Sequence, residues 1–241
     1  MKASERPLAD VPAWLWAALG ACFAVQVGIQ VLRPAPANSA ADLPPPPQPA
    51  ALRAASLGEP AAAARLAMLY LQAFDLGAGN ARPYQQLDFT ALAGWLRAIL
   101  ETDPRSGYPL FAAARIYAEV DDPARSRVML TLIHEAFLED PNRRWPWLAH
   151  AALLAKHRLK DLPLARRYAG DLARMTTAAD VPLWATQMEV FILEDMNELE
   201  AAKIVLGGLL DRGRIEDPAE RRFLEQKLKE LESRVPSESR H

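Results

Sequence analysis

The feature that most limits the fold is a short phrase that the chain repeats. Tyr108-Pro109-Leu110-Phe111-Ala112 returns as Trp145-Pro146-Trp147-Leu148-Ala149 and as Val181-Pro182-Leu183-Trp184-Ala185, and Asp217-Pro218-Ala219-Glu220 follows at the same interval. Each proline precedes an apolar run with helical spacing. Each is therefore read as the first residue of a helix, where its missing N–H costs nothing and its fixed φ suits the first turn. A repeat of about 36 residues is the signature of stacked helical hairpins. No alternation of β-branched residues is sustained anywhere, so the expected fold class is all-α: an N-terminal transmembrane helix followed by an α-solenoid of antiparallel hairpins.

Composition narrows the function. With 241 residues, 51% hydrophobic, the chain can bury one elongated core. A net charge of −2 gives no case for nucleic acid or an acidic polymer. Cys22 is the only cysteine, which rules out a disulfide framework and a thiolate metal site.

From Ala13 to Leu32 the sequence carries no charge, between Asp10 and Arg33. Such a helix is ~30 Å long, the thickness of a bilayer's hydrocarbon core. Trp14 and Trp16 sit at one end, where interfacial anchors belong, and the apolar residues lie all round. Leu19-Gly20-Ala21-Cys22 is similar to a lipoprotein processing site, but the apolar run continues past it, so the segment is read as an uncleaved anchor. Lys2 and Arg6 precede the span and only Arg33 closely follows it, which places residues 1–12 in the cytoplasm. The expected localisation is a bacterial inner membrane, single-pass, with the C-terminal domain periplasmic. Gly20, Ala24 and Gly28 form a small-residue seam, and Gln26 and Gln30 a polar stripe; both are expected to pack against other membrane helices.

Residues 33–49 hold seven prolines and are expected to form a polyproline II spacer, reaching up to ~50 Å at ~3.1 Å per residue. A Pro-x-x-Pro ligand for a partner is the sharper alternative; with no flanking basic residues, the spacer is preferred. Residues 50–87 follow as N-terminal helices, from Ala50 to Leu57 and from Pro60 to Phe74. A loop from Asp75 to Leu87 is a candidate insertion or binding loop.

Residues 88–235 carry the repeats. Asp88 is an N-cap ahead of Leu92, Trp95, Leu96, Ile99 and Leu100 at helical spacing. Helices over 108–120 and from Pro123 to Asp140 precede the hairpins 145–159 with 162–177 and 182–195 with 197–212. A capping helix over 217–234 has one apolar stripe, Phe223, Leu224, Leu228 and Leu231, and 236–241 is a tail. Gly207-Gly208 inside a helix costs about 1 kcal/mol per glycine, which predicts a close backbone approach there.

Ala98-Ile99-Leu100-Glu101-Thr102-Asp103-Pro104 and Ala136-Phe137-Leu138-Glu139-Asp140-Pro141 resemble the close of a tetratricopeptide repeat, and Asn197-Glu198-Leu199-Glu200-Ala201-Ala202 resembles the start of its second helix. The likeness spans roughly residues 88–215. It implies a stack that holds other proteins. An anchor, a spacer and such repeats are together similar to envelope proteins that assist secretion or complex assembly.

The chain has no Gly-x-x-x-x-Gly-Lys, His-Glu-x-x-His or Gly-x-Ser-x-Gly. His150 and His157 lack a third ligand at metal spacing. The expectation is therefore no enzyme, no cofactor and no metal. Candidate partner-binding residues are Arg143, Arg144 and Trp147 at a repeat junction, with His150, Lys156 and Arg158 in and beside a basic turn. Packed indoles and solvated helix-end cations are the competing reading. The expected function is a protein–protein interaction scaffold in assembly or secretion of envelope proteins, its partners other proteins and, through residues 13–32, the lipid bilayer. Its rivals are a permanent subunit of a larger inner-membrane complex and, remotely, an enzyme or ligand-binding protein.

Overall fold

The computed structural model describes residues 12–32, 43–75, 87–178, 180–211, 215 and 217–234; the side chains of 30–32 and 74–75 are outside the description. Among these residues the chain is all-helical, with eleven α-helices and no strand. It divides into two compact units, Met1–Ala41 and Asp42–His241. The expected tails 1–11 and 236–241, the first part of the spacer (33–42) and the loop interior (76–86) lie outside the described residues.

The first unit holds α1, Ala13–Leu32. Among the described residues no helix is long and apolar enough to cross a membrane. That overturns the transmembrane reading of 13–32, the single-pass inner-membrane localisation and the periplasmic placement derived from it. The physical reason is dilution: Trp14, Trp16, Gly20, Gln26 and Gly28 interrupt the aliphatic residues of α1. Along the expected Gly20–Ala24–Gly28 seam, a Cβ added at Gly20 or Gly28 would meet no atom within 4 Å. The Gln30 side chain is outside the description.

The second unit opens with α2 (Pro49–Ala55), α3 (Pro60–Asp75), α4 (Phe89–Thr102) and α5 (Tyr108–Arg115). It continues with α6 (Pro123–Glu139), α7 (Pro141–His157), α8 (Leu162–Met175), α9 (Leu183–Asp195), α10 (Leu199–Asp211) and α11 (Pro218–Arg234). Aspartates start several of them. Asp88 accepts the Thr90 N–H, Asp122 those of Ala124 and Arg125, Asp161 that of Leu164, and Asp217 that of Ala219. Each carboxylate satisfies donors that the first helical turn leaves bare.

The repeated prolines do not all take the expected place. Pro218 opens α11, Pro109 is the second residue of α5, and Pro182 is the cap ahead of α9, but Pro146 lies inside α7. The reason is that Asp140-Pro141 already starts α7, and Arg144 N–H bonds back to the Asp140 carbonyl. Pro146 then withdraws a single hydrogen bond near the helix start, the end at which a helix tolerates that loss best. The expected helix 108–120 is likewise shorter. It breaks at Ile116 (φ −120°, ψ −62°) into a 3₁₀ turn, Tyr117–Glu119. The close approach expected at Gly207-Gly208 is not found, since a Cβ on either would meet no atom within 4 Å.

Consecutive helices pack on one another in repeat-like fashion, and α5 also packs on α7, α7 on α9 and α4 on α6. Gln187–Glu220 and Glu194 with Lys227 and Arg234 extend the first row to α11, and His134–Asp171 extends the second to α8. Two rows result, α3, α5, α7, α9 and α11 in one and α2, α4, α6 and α8 in the other. The large core runs from Leu43 to Ile192 and is filled by Tyr117, Phe137, Leu92, Ile133 and Leu148. A separate small cluster, Val190, Leu193, Ala202, Leu206, Ile215, Leu224 and Leu231, holds α10 and α11.

The second half of the expected spacer does not stand away from this unit. Leu43 is buried in the large core, Trp95 Nε1 donates to the Pro44 carbonyl at 2.8 Å, and the Pro46 ring lies over Gly94.

Candidate protein-docking face

The outward stripe of α5 is Tyr108, Phe111 and Arg115, at i, i+3 and i+7. On α9 it is Trp184 and Phe191, seven residues apart. Between them, α7 presents Pro146, His150, Leu153 and His157. Trp145 and Trp147 flank this stripe, because residues two apart on a helix point to opposite sides.

Aromatic contacts join the three helices. Tyr108 stacks on Phe111 with ring centroids 6.2 Å apart, Phe111 meets Trp147 edge-on at 6.0 Å, and Trp145 meets Trp184 edge-on at 5.6 Å. These separations suit the ring quadrupoles. Gly107 leaves room for the Trp147 indole, which would lie 3.6 Å from a Cβ placed there. The strip is not consumed by these contacts: Trp184 remains 51% exposed, Leu153 42%, Tyr108 41% and Phe111 39%.

Polar groups on the strip are few and muted. Lys156 forms an ion pair with Asp195, tying α7 to α9. His150 Nε2 is buried and lacks a hydrogen-bond partner among the described residues, since Glu119 Oε1 stands 3.8 Å away, beyond bonding distance. Burial, and then the Arg115 guanidinium, push the His150 pKa below the ordinary imidazole value, which keeps the ring neutral at pH 7. Such a surface favours apolar side chains over anions. Among the described residues no group of three or more His, Cys, Asp or Glu is placed to hold a metal ion.

Of the six residues singled out from sequence, the structure brings Trp147 and His150 onto this strip. Arg143 is exposed and pairs with Asp140 at 3.4 Å. Arg144 is a correction. It is 4% exposed, donates to the Ala136 and Pro104 carbonyls at 2.7 and 3.4 Å and pairs with Glu139, so it is spent inside the stack. Lys156 is occupied by Asp195. Arg158 points elsewhere, to Asp121 at 2.6 Å, beside an open cleft lined by Val120, Pro123, Ser126 and Leu159. The basic turn is thus partly neutralised by Asp121, ahead of α6, and by Asp195 at the end of α9.

Tyr108, Phe111, Leu153 and Trp184 were not singled out as binding residues by sequence, and Trp145 only as one of the two indoles at the repeat junction. The signal was present in the repeated phrase, where at least one aromatic residue lies within two positions of each of the first three prolines. A comparison of the chain with protein-family models, with curated proteins and with solved structures finds no match.

Proposed function

We propose that the chain is a tetratricopeptide-like scaffold that holds another protein across α5, α7 and α9. The single observation that carries this reading is the strip of half-exposed aromatics, which links three neighbouring helices and still offers open ring faces. Aromatic anchors of this kind dominate protein interfaces because they bury large apolar area at little cost in side-chain entropy. The envelope setting read from the N-terminal segment falls with the anchor and is not part of the proposal.

A photo-crosslinking phenylalanine analogue at Phe111 tests it, with the same analogue at Leu138, exposed on α6, as the comparison. The expected result is one protein crosslinked at fixed stoichiometry from position 111 and lost in the Trp184→Ala background. Equal crosslinking from both positions would sink the reading.

A further inference from the structure

The strap that precedes α2 is built like a ligand. Leu43 is 7% exposed; after it Pro44 and Pro47 are half-buried, while Pro45, Pro46 and Gln48 are exposed. The spacing of Pro44 and Pro47 is that of one polyproline II turn, and Gln48 at φ −67°, ψ 133° has that conformation. Four consecutive prolines carry no N–H, so only their carbonyls and rings can be recognised. Both are. The indole N–H of Trp95 reads the Pro44 carbonyl at 2.8 Å. Gly94 makes a flat seat for the Pro46 ring, and a Cβ there would come within 2.8 Å of Pro46 Cγ. Tyr70 packs on Trp95 with ring centroids 5.3 Å apart and extends the aromatic wall.

Glycine at position 94 is otherwise unfavourable. It lies in the middle of α4, where it costs about 1 kcal/mol relative to alanine. A helix that bears this cost opposite a proline ring, with an indole donor on the next residue, has the parts by which proline-rich peptides are bound elsewhere: aromatic walls and a donor aimed at a carbonyl. The site is made by α3 and α4 and shares no residue with the aromatic strip.

We propose that this groove is a binding site for extended proline-rich segments with an aliphatic residue ahead of the first proline, and that Leu43–Pro47 occupies it in cis as a replaceable strap. The occupant in trans is such a segment of another protein. Exchange with a second copy is disfavoured by the covalent layout, because α2 starts at Pro49 and leaves almost no hinge behind the strap. A cis strap this close to its groove competes at an effective concentration in the millimolar range, so the intact chain admits only segments that bind better than its own or that arrive when the strap is pulled away.

The experiment uses the full chain and a labelled peptide of residues 42–49, read by fluorescence anisotropy, with circular dichroism as the check on folding. Leu43→Asp places a charge in the buried pocket and releases the strap. Leu43→Asp protein should bind the peptide at least ~10-fold more tightly than the unaltered chain, and adding Gly94→Val should abolish that binding. A peptide with Leu43→Asp should not bind at all. The proposal is overturned if folded Leu43→Asp protein does not bind the peptide, or binds it no better than the unaltered chain. It is also overturned if Leu43→Asp loses its helical signal, which would make the strap part of the core. A concentration-dependent dimer of the unaltered chain that Leu43→Asp abolishes would replace it with exchange between copies.

Discussion

The two sides of the stack are joined by opposite chemistry. Along the odd row, α5, α7 and α9 meet through rings that remain 39% to 51% exposed at Phe111, Tyr108 and Trp184. Along the even row and behind α7, the buried joints are polar and closed, while the Arg97–Glu135 pair between α4 and α6 lies open to solvent. His134 Nε2 meets Asp171 at 2.7 Å with Tyr168 against its ring, burial lifts the Tyr168 phenol to about 12, and Arg144 is surrounded by acceptors. A polar group shut in this way contributes to stability by being satisfied, and it has nothing left for a visitor. A half-open ring contributes less to the fold and keeps its face available. On the proposed function, the difference would put stability on one side and recognition on the other.

Five substitutions break or sharpen this contrast. The largest effect on folding is expected from Arg144→Met, which leaves the Ala136 and Pro104 carbonyls without their donor. We expect a loss of ~2–3 kcal/mol in urea unfolding, with partner crosslinking from position 111 preserved in the folded fraction. Asp171→Ala strands the buried His134 nitrogen and should cost ~1–3 kcal/mol, again without effect on binding. Trp184→Ala should invert the pattern, with ~1 kcal/mol or less lost from the fold and at least ~10-fold lost in partner affinity by titration calorimetry. A Trp184→Ala protein that melts as early as Arg144→Met would erase the division.

The smallest effects are in the pH dependence. The Leu164 N–H, and after it Arg127, hold the Asp161 carboxyl below its ordinary value. A depressed carboxyl stabilises the fold above its unfolded value, and that stability is lost as pH falls through the folded value. Asp161→Asn should therefore lower Tm at neutral pH and flatten the acid limb. His150 is depressed as a base. The unfolded chain takes up its proton first, so stability declines as pH drops below the ordinary 6.5. His150→Gln should flatten the Tm profile just below that pH.

The helical elements were largely legible in the sequence, because helix starts here are written in local chemistry. Asp88, Asp122 and Asp217 announce their helices through short-range bonds to the next few N–H groups, and the apolar spacing of α4 and α6 names their buried faces. What was not legible depends on neighbours distant in sequence. Nothing local distinguishes Arg143 from Arg144, and only the turn of α7 decides which one is buried. The strap looked like a free spacer because prolines 44 to 47 have no pattern of their own. The seat at Gly94 and the Trp95 donor lie about fifty residues further along. The N-terminal segment was misread because its lack of charge was weighed above its indoles, glycines and glutamines.

The separation between the large core and the small cluster under α10 and α11 has a kinetic meaning. In a row of nearest-neighbour contacts, cooperativity is only as strong as the weakest joint. Here the boundary between the two clusters runs through α9, which lends residues to both. The last two helices form a natural unit of partial opening, with an opening free energy below that of the whole. Amide hydrogens of α10 and α11 should exchange in one early step while those of α6 to α8 wait for global unfolding. The stack then has a direction: it comes apart from its C-terminal end.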